Sequence, residues 1–134
     1  MKTQTNQTIG YITFLVKDYD EAIEYFTKKL NFILLEDTLI NMNKRWVRVA
    51  PKGSKECSLL LAKASSYLQE STIGKQSGDR ICFFLHTNNF WSDYNEMKNK
   101  GVLFLEEPRS EEYGTVVVFK DLYGNKWDLL ELKQ

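Results

Sequence analysis

Apolar and polar positions follow the same order twice along this chain, about seventy residues apart. Residues 9–17 are rich in aliphatic and aromatic side chains and close on Asp18-Tyr-Asp20, the signature of a strand ended by a turn. Asp18 or Asp20 is placed to cap a helix, and Ala22, Ile23, Phe26 and Leu30 then recur at helical spacing. Phe32 to Leu35 and Arg45 to Ala50 read as strands. Pro51-Lys-Gly-Ser54 reads as a turn, because Pro presets φ and Gly supplies positive φ. Glu56 to Leu61 closes this half as a further strand.

The second half repeats the order. A strand is predicted over 80–86, a helix from about Asn89 to Lys100, and a strand from Val102 to Leu105. A loop from Glu106 to Tyr113 leads to a strand over 114–119, a turn at Asp121-Leu-Tyr-Gly-Asn125, and a strand over 126–132. Residues 36–44 and 62–79 carry no strong pattern, although Lys63 to Lys75 reads as a short helix. The chain is therefore predicted to be one α+β domain over 1–134. Module one spans about 9–61, a connector 62–79, and module two about 80–132. Each module is a βαβββ unit whose helix covers one sheet face and leaves the other bare. Two tandem modules of this kind are expected to form a concave mixed-sheet cavity.

Composition narrows the function classes. Eighteen basic and eighteen acidic residues balance to zero, which argues against a phosphate-backbone binder, so no nucleic acid partner is expected. Cys57 and Cys82 fall in predicted strands without C-x-x-C spacing, so they read as free thiols rather than a disulfide or a zinc site. The polar N-terminus has no apolar signal region and no apolar run is long enough to span a bilayer. The expectation is a cytoplasmic protein with no membrane contact.

Two motifs carry a resemblance. Val16-Lys-Asp-Tyr-Asp-Glu-Ala-Ile-Glu-Tyr-Phe-Thr-Lys-Lys-Leu-Asn-Phe32 is similar to the opening signature of the glyoxalase, bleomycin-resistance and extradiol-dioxygenase superfamily, the vicinal-oxygen-chelate fold. Tyr113-Gly-Thr-Val-Val-Val-Phe-Lys-Asp-Leu-Tyr-Gly-Asn-Lys-Trp-Asp-Leu-Leu130 resembles its closing signature. The resemblance covers roughly residues 9 to 132 and implies the duplicated βαβββ fold. It also implies a homodimer and a site on the concave sheet, where active members bind a divalent metal through His or Gln on each first strand and Glu on each closing strand.

Counting from the motifs, those positions fall on Tyr11, Cys57, Ile81 and Asp128. Asp128 alone is a good ligand for a hard metal, and Ile81 cannot ligate at all. His86, the one histidine, falls on the face opposite Ile81, Phe83 and Leu85 if the strand alternates regularly. The expectation is therefore a metal-free cavity lined by Tyr11, Thr13, Trp46, Arg48, Cys57, Phe83 and Asp128, with Arg109 and Tyr113 on an adjoining loop. An alternative parity puts Arg45 and Val47 there in place of Trp46 and Arg48. Asp128 reads either as a partner of Arg48 or Lys126, or as a buried carboxylate with a perturbed pKa. The remaining charges, Lys28-Lys29, Glu106-Glu107 and Glu111-Glu112, read as solvated faces.

This pattern of side chains points to a small-molecule-binding protein of the superfamily, without a cofactor, that sequesters a drug or metabolite as bleomycin-resistance members do. The alternative is a lyase, isomerase or dioxygenase that holds a divalent metal through an atypical ligand set including Asp128.

Overall fold

The computed structural model describes residues 4–134, and it places the elements in the duplicated order. The chain divides into two compact units, one ending at Ala64 and one running over Ser65–Gln134. The first contains β1 (Tyr11–Val16), α1 (Tyr19–Glu24), β2 (Ile33–Asn41), β3 (Lys44–Ala50) and β4 (Ser58–Lys63). Helix α1 starts where predicted, with the Asp18 carboxylate accepting the Glu21 N–H at 2.8 Å. It runs on as a wider π-helical turn over Tyr25–Lys29, and Asn31 at φ 60° turns the chain into β2.

The first sheet has the order β1-β4-β3-β2, with β1 and β4 parallel and the other pairs antiparallel. Phe14, Val16, Val47, Val49, Leu59 and Leu61 alternate onto one face and are buried with Ala22 and Phe26 of the helical segment. The Phe14 and Phe26 rings meet edge to face at 5.2 Å. Residues 36–44, which carry no strong pattern in the sequence, belong mostly to strands. Strand β2 continues to Asn41, but register shifts at Leu34/Glu36 and Leu39/Asn41 break the two-residue period, so no alternation is visible in the sequence there.

The second unit contains α2 (Tyr67–Thr72), β5 (Ile81–His86), α3 (Phe90–Asn99), β6 (Leu103–Phe104), β7 (Arg109–Glu111), β8 (Gly114–Lys120) and β9 (Lys126–Leu132). Helix α2 is shorter than the Lys63–Lys75 expectation because Lys63 ends β4 and Ser66 caps the helix, accepting the Gln69 N–H at 3.1 Å. The sheet order β5-β9-β8-β6 repeats that of the first unit, and the expected loop 106–113 contains β7, also paired with β8. Trp127, Leu129, Val117 and Phe119 are buried on the sheet, and Phe90, Tyr94 and Met97 are the buried residues of α3. The first α3 turn is held from outside the helix, since Glu131 Oε1 accepts the Phe90 N–H at 2.7 Å.

The closing motif is explained by the turn before β9. The buried Asp121 carboxylate accepts the Tyr123 and Asn125 backbone N–H groups at 2.9 and 3.1 Å, the Asn125 side chain at 3.0 Å, and Trp127 Nε1 at 2.9 Å. Burial still pushes its pKa up, against these hydrogen bonds. No helix among the described residues is long and apolar enough to cross a membrane.

Candidate functional site

Each sheet has a second face, and the strand registers decide which side chains stand on it. In the first unit, Tyr11 pairs with Ser58, Thr13 and Arg48 both pair with Leu60, and Trp46 pairs with Thr38. Tyr11, Thr13, Trp46 and Arg48 therefore share the face opposite the core. The Tyr11 and Trp46 rings meet edge to face at 6.0 Å, and the Arg48 guanidinium lies 4.9 Å from the centre of the Tyr11 ring. The alternative parity is not adopted. Val47 is fully buried, and Arg45 lies over Tyr19 while pairing with Asp20 and Asp37.

Arg48 is held by two residues absent from the expected set. Its Nε donates to Glu36 Oε1 at 3.1 Å and its Nη1 to Ser58 Oγ at 3.2 Å. Glu36 lies where register shifts remove any alternation from the sequence of β2. Ser58 opens β4 one residue after Cys57, the position that counting from the turn glycine selects. The turn before β4 is longer than the turn before β9, so counting from each glycine brings Cys57 and Asp128 into false correspondence. Matched by pairing, the counterpart of Lys126 is Ser58 and that of Asp128 is Leu60. Cys57 precedes β4, half-buried, with its Sγ 3.6 Å from the Ser58 carbonyl oxygen.

In the second unit, Asp128 sits on β9 between Phe84 on β5 and Val118 on β8. Phe83 does not join them. A bulge between Ile81 and Phe83 inserts a residue and reverses the alternation. The Phe83 ring packs 4.7 Å from buried Trp127 on the other face. Phe84, 58% exposed, takes the position expected for Phe83. The same bulge brings exposed His86 onto the Asp128 face, opposite Leu130, contrary to the regular count.

Glu106 and Glu111 are not merely solvated charges. Glu106 receives Arg109 Nε on both carboxylate oxygens at 3.0 Å, and Glu111 receives Arg109 Nη1. Glu106 Oε2 also accepts the Val118 N–H at 3.1 Å, beside the bond from the Leu105 N–H to the Val118 carbonyl. It thus completes the β8 ladder in the gap between β6 and β7. Tyr113, half-exposed at the turn after β7, also bonds the Arg109 side chain.

Asp128 has a different environment. Its Oδ1 atom is buried without a hydrogen-bond partner, and the side chain forms no ion pair among the described residues. Burial pushes its pKa up, more than the attraction of Arg109 pulls it down, and Glu106 adds repulsion. It is the perturbed carboxylate rather than a partner of Arg48 or Lys126. Its neighbours Phe84 and Val118 line a cavity of about 640 Å³, a volume suited to a small molecule.

The donor set does not fit a resident metal of the expected kind. Among the described residues no three His, Cys, Asp or Glu side chains gather to hold an ion; Leu60 occupies the position matched to Asp128, and Tyr11 and Ile81 stand on the two first strands where the family pattern calls for His or Gln.

A family model described as Glyoxalase/Bleomycin resistance protein/Dioxygenase superfamily matches residues 8–129. An uncharacterized protein of Shewanella frigidimarina (strain NCIMB 400) is 52% identical over 127 residues, spanning 94% of both chains. The solved structure of UcmS2 is 29% identical, with a TM-score of 0.81 over 94% of this chain and 98% of that one. TnmS3, an antibiotic binding protein from Streptomyces sp. CB03234, is 24% identical and superimposes with a TM-score of 0.79, over 97% of this chain and 99% of its own.

Proposed function

Because the chain belongs to the Glyoxalase/Bleomycin resistance protein/Dioxygenase superfamily, we propose that it binds a small molecule on the open faces of its sheets, through side-chain contacts and without a metal. The unpartnered Oδ1 of Asp128 carries this reading. A buried carboxylate oxygen left without a donor costs free energy, and the half-buried side chain gains a partner by turning to meet a bound O–H or N–H group. Phe84 gives the ligand an apolar surface beside Asp128, and Arg109 and Tyr113 border it. On the first unit, Tyr11, Thr13, Trp46 and Arg48 form a second surface of aromatic rings around a fixed cation. The antibiotic-binding description of TnmS3, a protein of the same fold, supports a binding rather than a catalytic role.

The homodimer belongs to the same proposal. Strand β2 is an edge strand that leaves Leu39 and Ile40 largely exposed, as is Met42 in the turn that follows, a surface that a second copy would cover.

The test is a thermal-shift screen of drug-like and metabolite compounds, followed by calorimetry on each hit. A ligand is expected whose affinity falls at least about tenfold in Asp128→Asn, the loss of a charge-assisted hydrogen bond. Elemental analysis of protein purified without chelator is the second arm. Stoichiometric divalent metal that disappears in Asp128→Ala would overturn the proposal.

A further inference from the structure

A ligand is recognised by polar groups that the protein has not already engaged. The cavity on the second unit has an apolar floor of Ile81, Phe84, Leu105 and Val118, with Glu106 beside it. Glu106 is spent, since it holds Arg109 with both oxygens and also accepts the Val118 N–H. The opposite rim carries Asp79, Arg80 and Lys126. Lys126 Nζ makes a single long bond, 3.4 Å, to the backbone carbonyl of Asp79, and no ion pair includes Lys126 or Arg80 among the described residues. The Asp79 carboxylate offsets one of these two cations, so the rim keeps an excess positive charge. Beside the lining residues Phe84 and Val118, and outside the lining itself, lies the half-buried Asp128 side chain, whose Oδ1 lacks a partner and which can turn toward a ligand on this face.

Lys126 and Asp128 are two positions apart on one strand, so they share a face at a separation of about 7 Å. The floor between them is apolar and carries a half-exposed aromatic ring. We infer that the ligand of this face is an amphipathic acid: a flat apolar body with an anionic group held by Lys126 and Arg80, and an O–H or N–H donor directed to Asp128. This rests on the open-face binding proposed above and adds the ligand's chemical class and polarity. A simple cation is disfavoured by the rim, and an acid of reversed polarity would bring its anion against Asp128 and Glu106.

Matched rigid probes test it. 6-Hydroxy-2-naphthoate has a donor at one end and a carboxylate at the other; 6-hydroxy-2-naphthamide keeps the ring and donor but not the charge; a third probe carries an aminomethyl group in place of the carboxylate. By titration calorimetry in low salt, the carboxylate is expected to bind at least about tenfold tighter than the amide, and the amine weakest. In Lys126→Met with Arg80→Met, the carboxylate should bind no tighter than the amide, with the fold confirmed by circular dichroism. Equal affinities for carboxylate and amide in the unmodified protein, or a preference surviving the double substitution, overturn the inference. In that case, weaker binding of both probes to Asp128→Asn keeps the open-face reading standing. No binding of any probe at millimolar concentration overturns this inference, and the open-face reading is then decided by whether the thermal-shift screen yields a ligand whose affinity falls in Asp128→Asn.

Discussion

Replacing Asp128 by Asn should stabilise the protein while weakening its binding. The side chain is half-buried, its Oδ1 has no partner, and burial outweighs the attraction of Arg109. An unsatisfied buried polar group costs about 1–3 kcal/mol. The residue retains some solvent contact, and Asn keeps an orphaned carbonyl while removing the charge, so the gain is placed at the low end, about 1 kcal/mol. For a chain of this length that corresponds to about 3–5 °C in Tm.

The pH dependence gives the sign independently. Asp128 has a raised pKa in the folded state, so the folded protein binds more protons than the unfolded chain between the ordinary aspartate value, about 3.9, and the raised one. Its contribution to stability is therefore full below the ordinary value and is lost as pH rises through the folded value. The Asp128→Asn advantage should vanish at low pH, open through that window and stay constant at neutral pH. Urea melts of both proteins across pH, compared as differences, measure it. A destabilised variant at neutral pH would show that the Asp128 charge has a structural partner, and a difference independent of pH would show that folding leaves its pKa unshifted; either result refutes the reasoning.

Two further perturbations test the frame that carries the site. Asp121→Ala strands the Tyr123 and Asn125 N–H groups and Trp127 Nε1, and should cost about 3–5 kcal/mol in denaturant melts; a loss under about 1 kcal/mol would mean that water replaces the carboxylate freely. Gly74→Ala places a Cβ against the Tyr123 carbonyl oxygen at a φ of 77°, so it should destabilise the turn before β9 by at least about 1–3 kcal/mol. Faster amide exchange at Tyr123 to Asn125 would locate the effect there, and an unchanged exchange pattern would count against that contact.

Local chemistry made much of the architecture readable. Asp18 ahead of an apolar helical repeat, Pro51-Lys-Gly53 between strands, and Gly124-Asn125 before Trp127 each act through their immediate neighbours, so the duplicated βαβββ order is visible in one dimension. Tyr11, Trp46 and Arg48 stand on one sheet face, as alternation along the sequence predicts, because β1 and β3 alternate regularly. The departures have one origin. Regular alternation puts Phe83 on the open face where the structure has Phe84, counting from the glycines matches Cys57 to Asp128 where strand pairing matches Leu60, and Glu36 and Glu106 lie in segments whose sequence shows no strand pattern. In each case a bulge, a longer turn or a broken ladder changes the register without changing the composition.

The sequence by itself determined which elements form and that a carboxylate stands at position 128, because periodicity, capping and turn preferences are short-range. Only the tertiary structure decided which side of β5 faces Asp128, that Glu106 is consumed by Arg109 and Val118, and that Asp128 is left with an unanswered oxygen. Those outcomes depend on pairing between distant strands and on how much solvent each group retains, and neither quantity is a property of neighbouring residues along the chain.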